Sequence, residues 1–157
     1  MRRVLGRAQR DESGQVAGME VLPFGLLTFV VGALLVANAW AVIDAKIAVS
    51  AAAREATRAF VEAPVDSDPS TLADTAARAA IEGAGRDPAQ LVLTALEAAF
   101  ARCETVSFEA SYQVPAIQLP WIGGLGAGFT ATARHAEVVD PYRTGVPRSV
   151  DGCASTL

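Results

Sequence analysis

A chain of 157 residues with a net charge of −4, two cysteines and one histidine has room for one long helix and one small domain. From Pro64 onward 11 acidic residues stand against 6 basic ones, a balance that argues against a nucleic-acid partner. Cys103 and Cys153 lie far apart with no Cys-x-x-Cys spacing, and His135 is the only histidine, so no metal site and no cofactor is expected.

The chain begins with a short polar segment in which Arg2, Arg3, Arg7 and Arg10 precede Asp11 and Glu12. Glu20 then opens a run of 23 uncharged residues, Val21 to Ile43. At about 1.5 Å of rise per residue such a run reaches roughly 34 Å, enough to cross a bilayer core of about 30 Å. Basic residues ahead of the span favour a cytoplasmic N-terminus, although Lys46, Arg54 and Arg58 follow on the far side. A cleaved secretory signal ending at Ala37-Asn38-Ala39 is the competing reading, but the apolar run is longer than an ordinary signal core. The helical pattern also continues past that triplet.

Asp44 to Ala63 is rich in helix formers and lacks both Gly and Pro, so one helix from about Ala17 to Ala63 is expected, with Pro23 loosening its first turns. Ala33, Ala37, Ala41 and Ala45 recur four apart, a spacing that lets another helix approach closely within lipid. The general abundance of alanine explains the same stripe equally well.

Pro64 ends the helix. Asp68-Pro69 is an N-cap followed by a first-turn proline, and Leu72, Ala76, Ala79 and Ala80 are expected on the buried face before Gly83 and Gly85 stop the segment. Asp87-Pro88-Ala89-Gln90 has the order of a capping box, so a second short, buried helix is expected, with Leu91, Val92, Leu93, Ala95, Leu96, Ala99 and Phe100 as a broad apolar stripe ending near Cys103.

The period then changes to two. In Thr105 to Val114, Val106, Phe108, Ala110, Tyr112 and Val114 alternate with polar residues, the mark of a half-buried strand. Phe129 to Val139 reads as its antiparallel partner, with Phe129, Ala131 and Ala133 inward. Between them, Pro115 to Gly128 is unusually apolar for a connection. Leu119, Trp121 and Ile122 either meet a partner or membrane interface, or fold back over the core. The Gly123 to Gly128 run precedes a strand, not a helix, and does not make a phosphate loop. If the domain lies outside the cytoplasm, a Cys103–Cys153 disulfide is the economical assignment; two buried thiols are the alternative. No nucleophile motif accompanies His135, and the acids are scattered through caps and turns, so no enzyme is expected.

Ser13-Gly14-Gln15-Val16-Ala17-Gly18-Met19-Glu20 followed by an apolar helix resembles the type IV pilin N-terminus, and more closely the TadE/TadG-like minor pilins or pseudopilins of Tad (Flp) pili. Ala52-Ala53-Arg54-Glu55-Ala56-Thr57-Arg58 and Arg134 to Arg143 are similar to later parts of that family's actinobacterial members. The resemblance implies cleavage between Gly14 and Gln15 by a prepilin peptidase on the cytoplasmic side. Glu20 would then be the sixth mature residue, one later than the usual pattern, and would pair with the free amine of a processed neighbour. The implied partners are other pilin subunits, the peptidase, the membrane assembly machinery and the lipid bilayer.

The expected protein is therefore α+β, with a leader over 1–14, a helix over 15–63 spanning the membrane at about 21–43, and a small extracytoplasmic domain over 64–157. Two short helices and an antiparallel hairpin or small sheet complete it, in a pilin-like layout. The expected place is the cell membrane, single-pass, with entry into a surface pilus left open. An exported or anchored binding module, working through the Trp121 loop and unrelated to pili, is the alternative.

Overall fold

The structure, a computed structural model, describes residues 13–114, 118–119, 123–124, 128–149 and 153; the side chains of 13–20, 118–119 and 123–124 fall outside the description. The chain is α+β and divides into two compact units, Met1–Ala39 and Trp40–Leu157. Helix α1 (Ser13–Val61) belongs to both and stays helical through Pro23.

Within the second unit, α1 turns one face into the core. Ala45, Ala48, Val49, Ala52, Ala53, Ala56 and Phe60 are buried, a three-and-four spacing that aligns them along one side of a helix. Thr57 is buried in the same row, and its hydroxyl donates to the Ala53 carbonyl at 2.8 Å, so this buried hydroxyl is paired. The alanines keep the helix close to what it packs on, while Phe60 fills the space at its end. Its ring meets Phe100 edge-on at 5.7 Å and lies tilted against Phe108 at 5.5 Å.

Helix α2 (Pro69–Gly83) starts where the cap signal puts it, with the Asp68 carboxylate accepting from the Ser70 N–H at 3.1 Å. Its buried side is Ala73, Ala77 and Ile81, not the expected Leu72, Ala76, Ala79 and Ala80 row; Leu72 points outward and only Ala80 touches the core. The Thr71 hydroxyl and the Ser70 N–H hold the Asp68 carboxyl below its ordinary value. A depressed acid stabilises above the ordinary carboxylate range and loses that contribution as pH falls through its native value. Fraying of the first turn of α2 on acidification is therefore expected, seen as faster amide exchange at Ser70 and Thr71. Asp68→Asn, which keeps a capping oxygen, should flatten the pH dependence while retaining most of the protection.

After α2 the chain crosses back to α1 through Arg86. Its guanidinium pairs with Asp44 at 2.6 Å and sits 5.3 Å from the Tyr112 ring centroid. The expected second helix is absent: Asp87 caps only a single 3-10 turn, Pro88–Gln90, and the chain continues as strand β1 (Leu91–Glu97). Six of its seven residues pair antiparallel with β2 (Thr105–Val114), Leu91 opposite Tyr112 and Ala95 opposite Phe108, with a bulge at Leu96 between Ala95 and Glu97. Leu91 and Leu93 point inward while Val92 is 59% exposed, so the period here is two.

Strand β2 is central. Its inward row is as expected, with Val106, Phe108, Ala110, Tyr112 and Val114 all buried, but Ser107 of the polar row is buried too, its hydroxyl accepting from Arg134 Nε at 2.8 Å; the ten residues pair with β5 (Phe129–Val138) from Thr105 opposite Val138 to Val114 opposite Phe129. In β5, Ala131 and Ala133 face inward as expected, while Phe129 is exposed. Two short strands, β3 (Gln118–Leu119) and β4 (Gly123–Gly124), pair with each other inside the long connection. The main sheet order is β1-β2-β5.

The segment after β5 closes the domain. Asp140 accepts from the Tyr142 N–H at 2.8 Å, and the turn presents Arg143, whose guanidinium donates to the Val61 and Ala63 carbonyls at the end of α1 and lies over Phe100. Gly145 has φ +82°, and a Cβ there would stand 3.0 Å from Val65 Cγ2, so only glycine fits without displacing Val65. Residues 147–149 then pair with Arg102, and Cys103 is bonded to Cys153 with Cα atoms 5.2 Å apart.

Candidate membrane helix and the outer face of α1

Over residues 21–39 the side chains are apolar except for Thr28 and Asn38 and mostly exposed, with Leu22, Phe24, Phe29, Leu35 and Val36 each more than three-fifths accessible. A helix in the core of a water-soluble protein hides such side chains; one surrounded by lipid does not. By length and composition this helix can cross a membrane, and the apolar window within it is unburied. Its two polar side chains turn back onto their own helix: Thr28 donates to the Phe24 carbonyl at 2.9 Å and Asn38 to the Leu34 carbonyl at 3.1 Å. The Thr28 donor is thereby satisfied within its own helix, which suits a hydrocarbon setting, while Asn38 keeps a second amide N–H and its oxygen for a further partner.

The expected alanine stripe is divided. Ala33 and Ala37 are exposed in the apolar segment, Ala41 is half-buried against the domain core, and Ala45 is 0% exposed inside it. Ala45 thus packs against its own domain. Gly14 and Gln15 lie in the first turn of α1 and Glu20 further along it, but their side chains, and with them the expected pairing of Glu20, are outside the described residues. Leu119 is in β3 with its side chain undescribed, and Trp121 and Ile122 lie outside the described residues, as do residues 1–12 of the leader expected over 1–14. Cys103 and Cys153 are brought together as one of the two expected alternatives has it.

On the opposite side from the core, α1 presents two neighbouring rows. Ile43, Ile47 and Ala51 are exposed and apolar; Lys46, Ser50 and Arg54 run beside them, and together they line a shallow cleft of about 470 Å³. The sequence carries this pattern as two i, i+4, i+8 series, which the alanine repeat overshadowed. His135 pairs with Glu137 at 3.2 Å on β5, and among the described residues no group of three or more His, Cys, Asp or Glu side chains converges. Comparison with protein-family models, curated proteins and solved structures finds no match.

Proposed function

We propose that the protein is a membrane-anchored structural or assembly subunit of a pilus-type apparatus, a minor pilin or pseudopilin of the Tad (Flp) kind. The observation that supports this reading most is α1 itself: an unburied apolar segment that continues without a helix break into the core of a small disulfide-bonded α+β domain. A linker would let the anchor and the domain be unrelated parts; here residues 45–60 serve the domain and residues 21–43 serve the bilayer within one element. In this reading the N-terminus is cytoplasmic, the domain is extracytoplasmic, and the protein is a substrate of prepilin peptidase with no active site of its own. Glu20 then pairs with the amine of a processed neighbour, and the partners are other pilin subunits, the assembly machinery and lipid.

N-terminal sequencing of the membrane-extracted protein, from cells with and without the peptidase, tests it. The expected mature end is Gln15, appearing only with the peptidase. An end at Met1 or at Trp40 in both strains would remove the pilin reading and leave an anchored or exported interaction domain.

A further inference from the structure

The two rows on the outer face of α1 are chemically unequal. Lys46 and Arg54 are exposed, and among the described residues neither has an acidic partner: Asp44 is taken by Arg86, and Glu55 and Glu62 lie against Arg58. The Lys46 ammonium donates to the Thr132 carbonyl, which holds it at this surface and leaves two of its three donors unused. Ser50 donates to the Lys46 carbonyl at 2.7 Å, so its oxygen remains an acceptor between the two cations. Beside them Ile43 and Ile47 are 54% and 65% exposed, more than a water-facing helix gains from.

Position along the chain says what meets these rows. The uncharged run ends at Ile43, and Lys46 follows three residues later, about 4.5 Å further along the helix. The headgroup layer on each side of a bilayer is about 5–7.5 Å deep, so Lys46 falls at phosphate level, with the exposed Trp40 at the hydrocarbon boundary below it. We propose that this cleft binds an anionic phospholipid, its phosphate held by the free donors of Lys46 with Arg54 further out adding attraction, and the glycerol and upper acyl chain lying along Ile43. A second copy inserted in the same sense would set Lys46 against Lys46 at the same level, which like charges oppose.

The inference rests on the membrane-anchored reading alone and not on pilus assembly. Full-length protein is placed in nanodiscs of phosphatidylcholine and phosphatidylglycerol in equal parts, and the lipids it retains are counted by native mass spectrometry. Wild type is expected to retain phosphatidylglycerol preferentially, and K46Q and R54Q to lower that preference by about fivefold for each cation removed, with K46R keeping it. Equal retention of both lipids by wild type, or an unchanged preference in the K46Q/R54Q double variant, overturns the proposal. So does efficient disulfide cross-linking of Ile47→Cys chains in pure phosphatidylcholine, which would show that protein covers the face. Arg54 makes no hydrogen bond or ion pair with a described residue, so R54Q carries the test if the double variant fails to fold. Protein recovered only in the soluble fraction would end the anchored reading itself, before any lipid is counted.

Discussion

Replacing Cys103 and Cys153 together by serine is expected to lower the stability of the Trp40–Leu157 unit by about 4 kcal/mol, the loop-closure estimate for a bond between residues 50 positions apart. Most domains have only about 5–15 kcal/mol in total, so the loss would be a large part of what holds this one together. The bond joins Cys103, two residues ahead of β2, to Cys153, the last described residue, and in between lie β2, β5 and the Arg143 turn. Without it, the pairing of Arg102 with residues 147–149 has to hold the tail by a few backbone hydrogen bonds. Urea unfolding of the detergent-solubilised chain measures the effect. An unchanged midpoint would mean that the tail stays in place without the bond, and that the domain's stability comes from its helices and sheet alone.

The second large effect is expected at Phe60. Phe60→Ala removes a ring that is 2% exposed and touches both Phe100 and Phe108, so about 3–5 kcal/mol should be lost. Phe60→Leu, which refills much of the space, should lose less than half of that. The same geometry makes a statement about boundaries: a chain starting at Pro64 lacks the face Ala45 to Phe60 and should remain unfolded, whereas one starting at Trp40 should give a cooperative transition. Circular dichroism of the two fragments decides it. A folded Pro64 fragment would show that α1 is an accessory to the domain, not part of its core.

The elements were legible to different degrees, and the reasons are physical. The inward row of strand β2 could be read from the sequence because the strand is central and keeps one face on the core; the burial of Ser107 on the other row, under Arg134, could not. Asp68-Pro69 was equally plain, since a cap and a first-turn proline act locally. The same signal at Asp87-Pro88 misled, because one 3-10 turn needs the same cap as a helix and the choice after it is tertiary: β2 has a second edge, and β1 fills it. Val92 and Thr94, branched at Cβ, were the available hint.

The face of α2 was misplaced by one residue, because alanines at 73, 76, 77, 79 and 80 leave the choice of side to Ile81, whose burial no local rule predicts. Alanine also hid the double use of α1. A small-residue stripe reads the same whether it faces a partner in lipid or the helix's own domain, and Ala45 turned out to face the latter. Lys46, Ser50 and Arg54 carry a readable four-residue spacing, but only the fold shows which charges around them are already paired. Arg143 gave no signal at all, since its role depends on a turn that brings it to carbonyls some 80 positions earlier in the chain.

The buried face of α1 also bears on the order in which the molecule can be made. Residues 45–60 can turn helical within about a microsecond of leaving the ribosome or translocon, but the strand that covers them ends at Val114. At about 5–20 residues per second, those roughly 50 residues take about 3–10 s to arrive. Throughout that interval the face stands bare. Five of its seven apolar members are alanines, which expose little surface for lipid or another nascent chain to seize, and the one large ring, Phe60, is the last of them to emerge. The close packing that alanine permits in the finished domain is thus matched by a low hazard during synthesis, when a leucine face in the same place would be an invitation to aggregate.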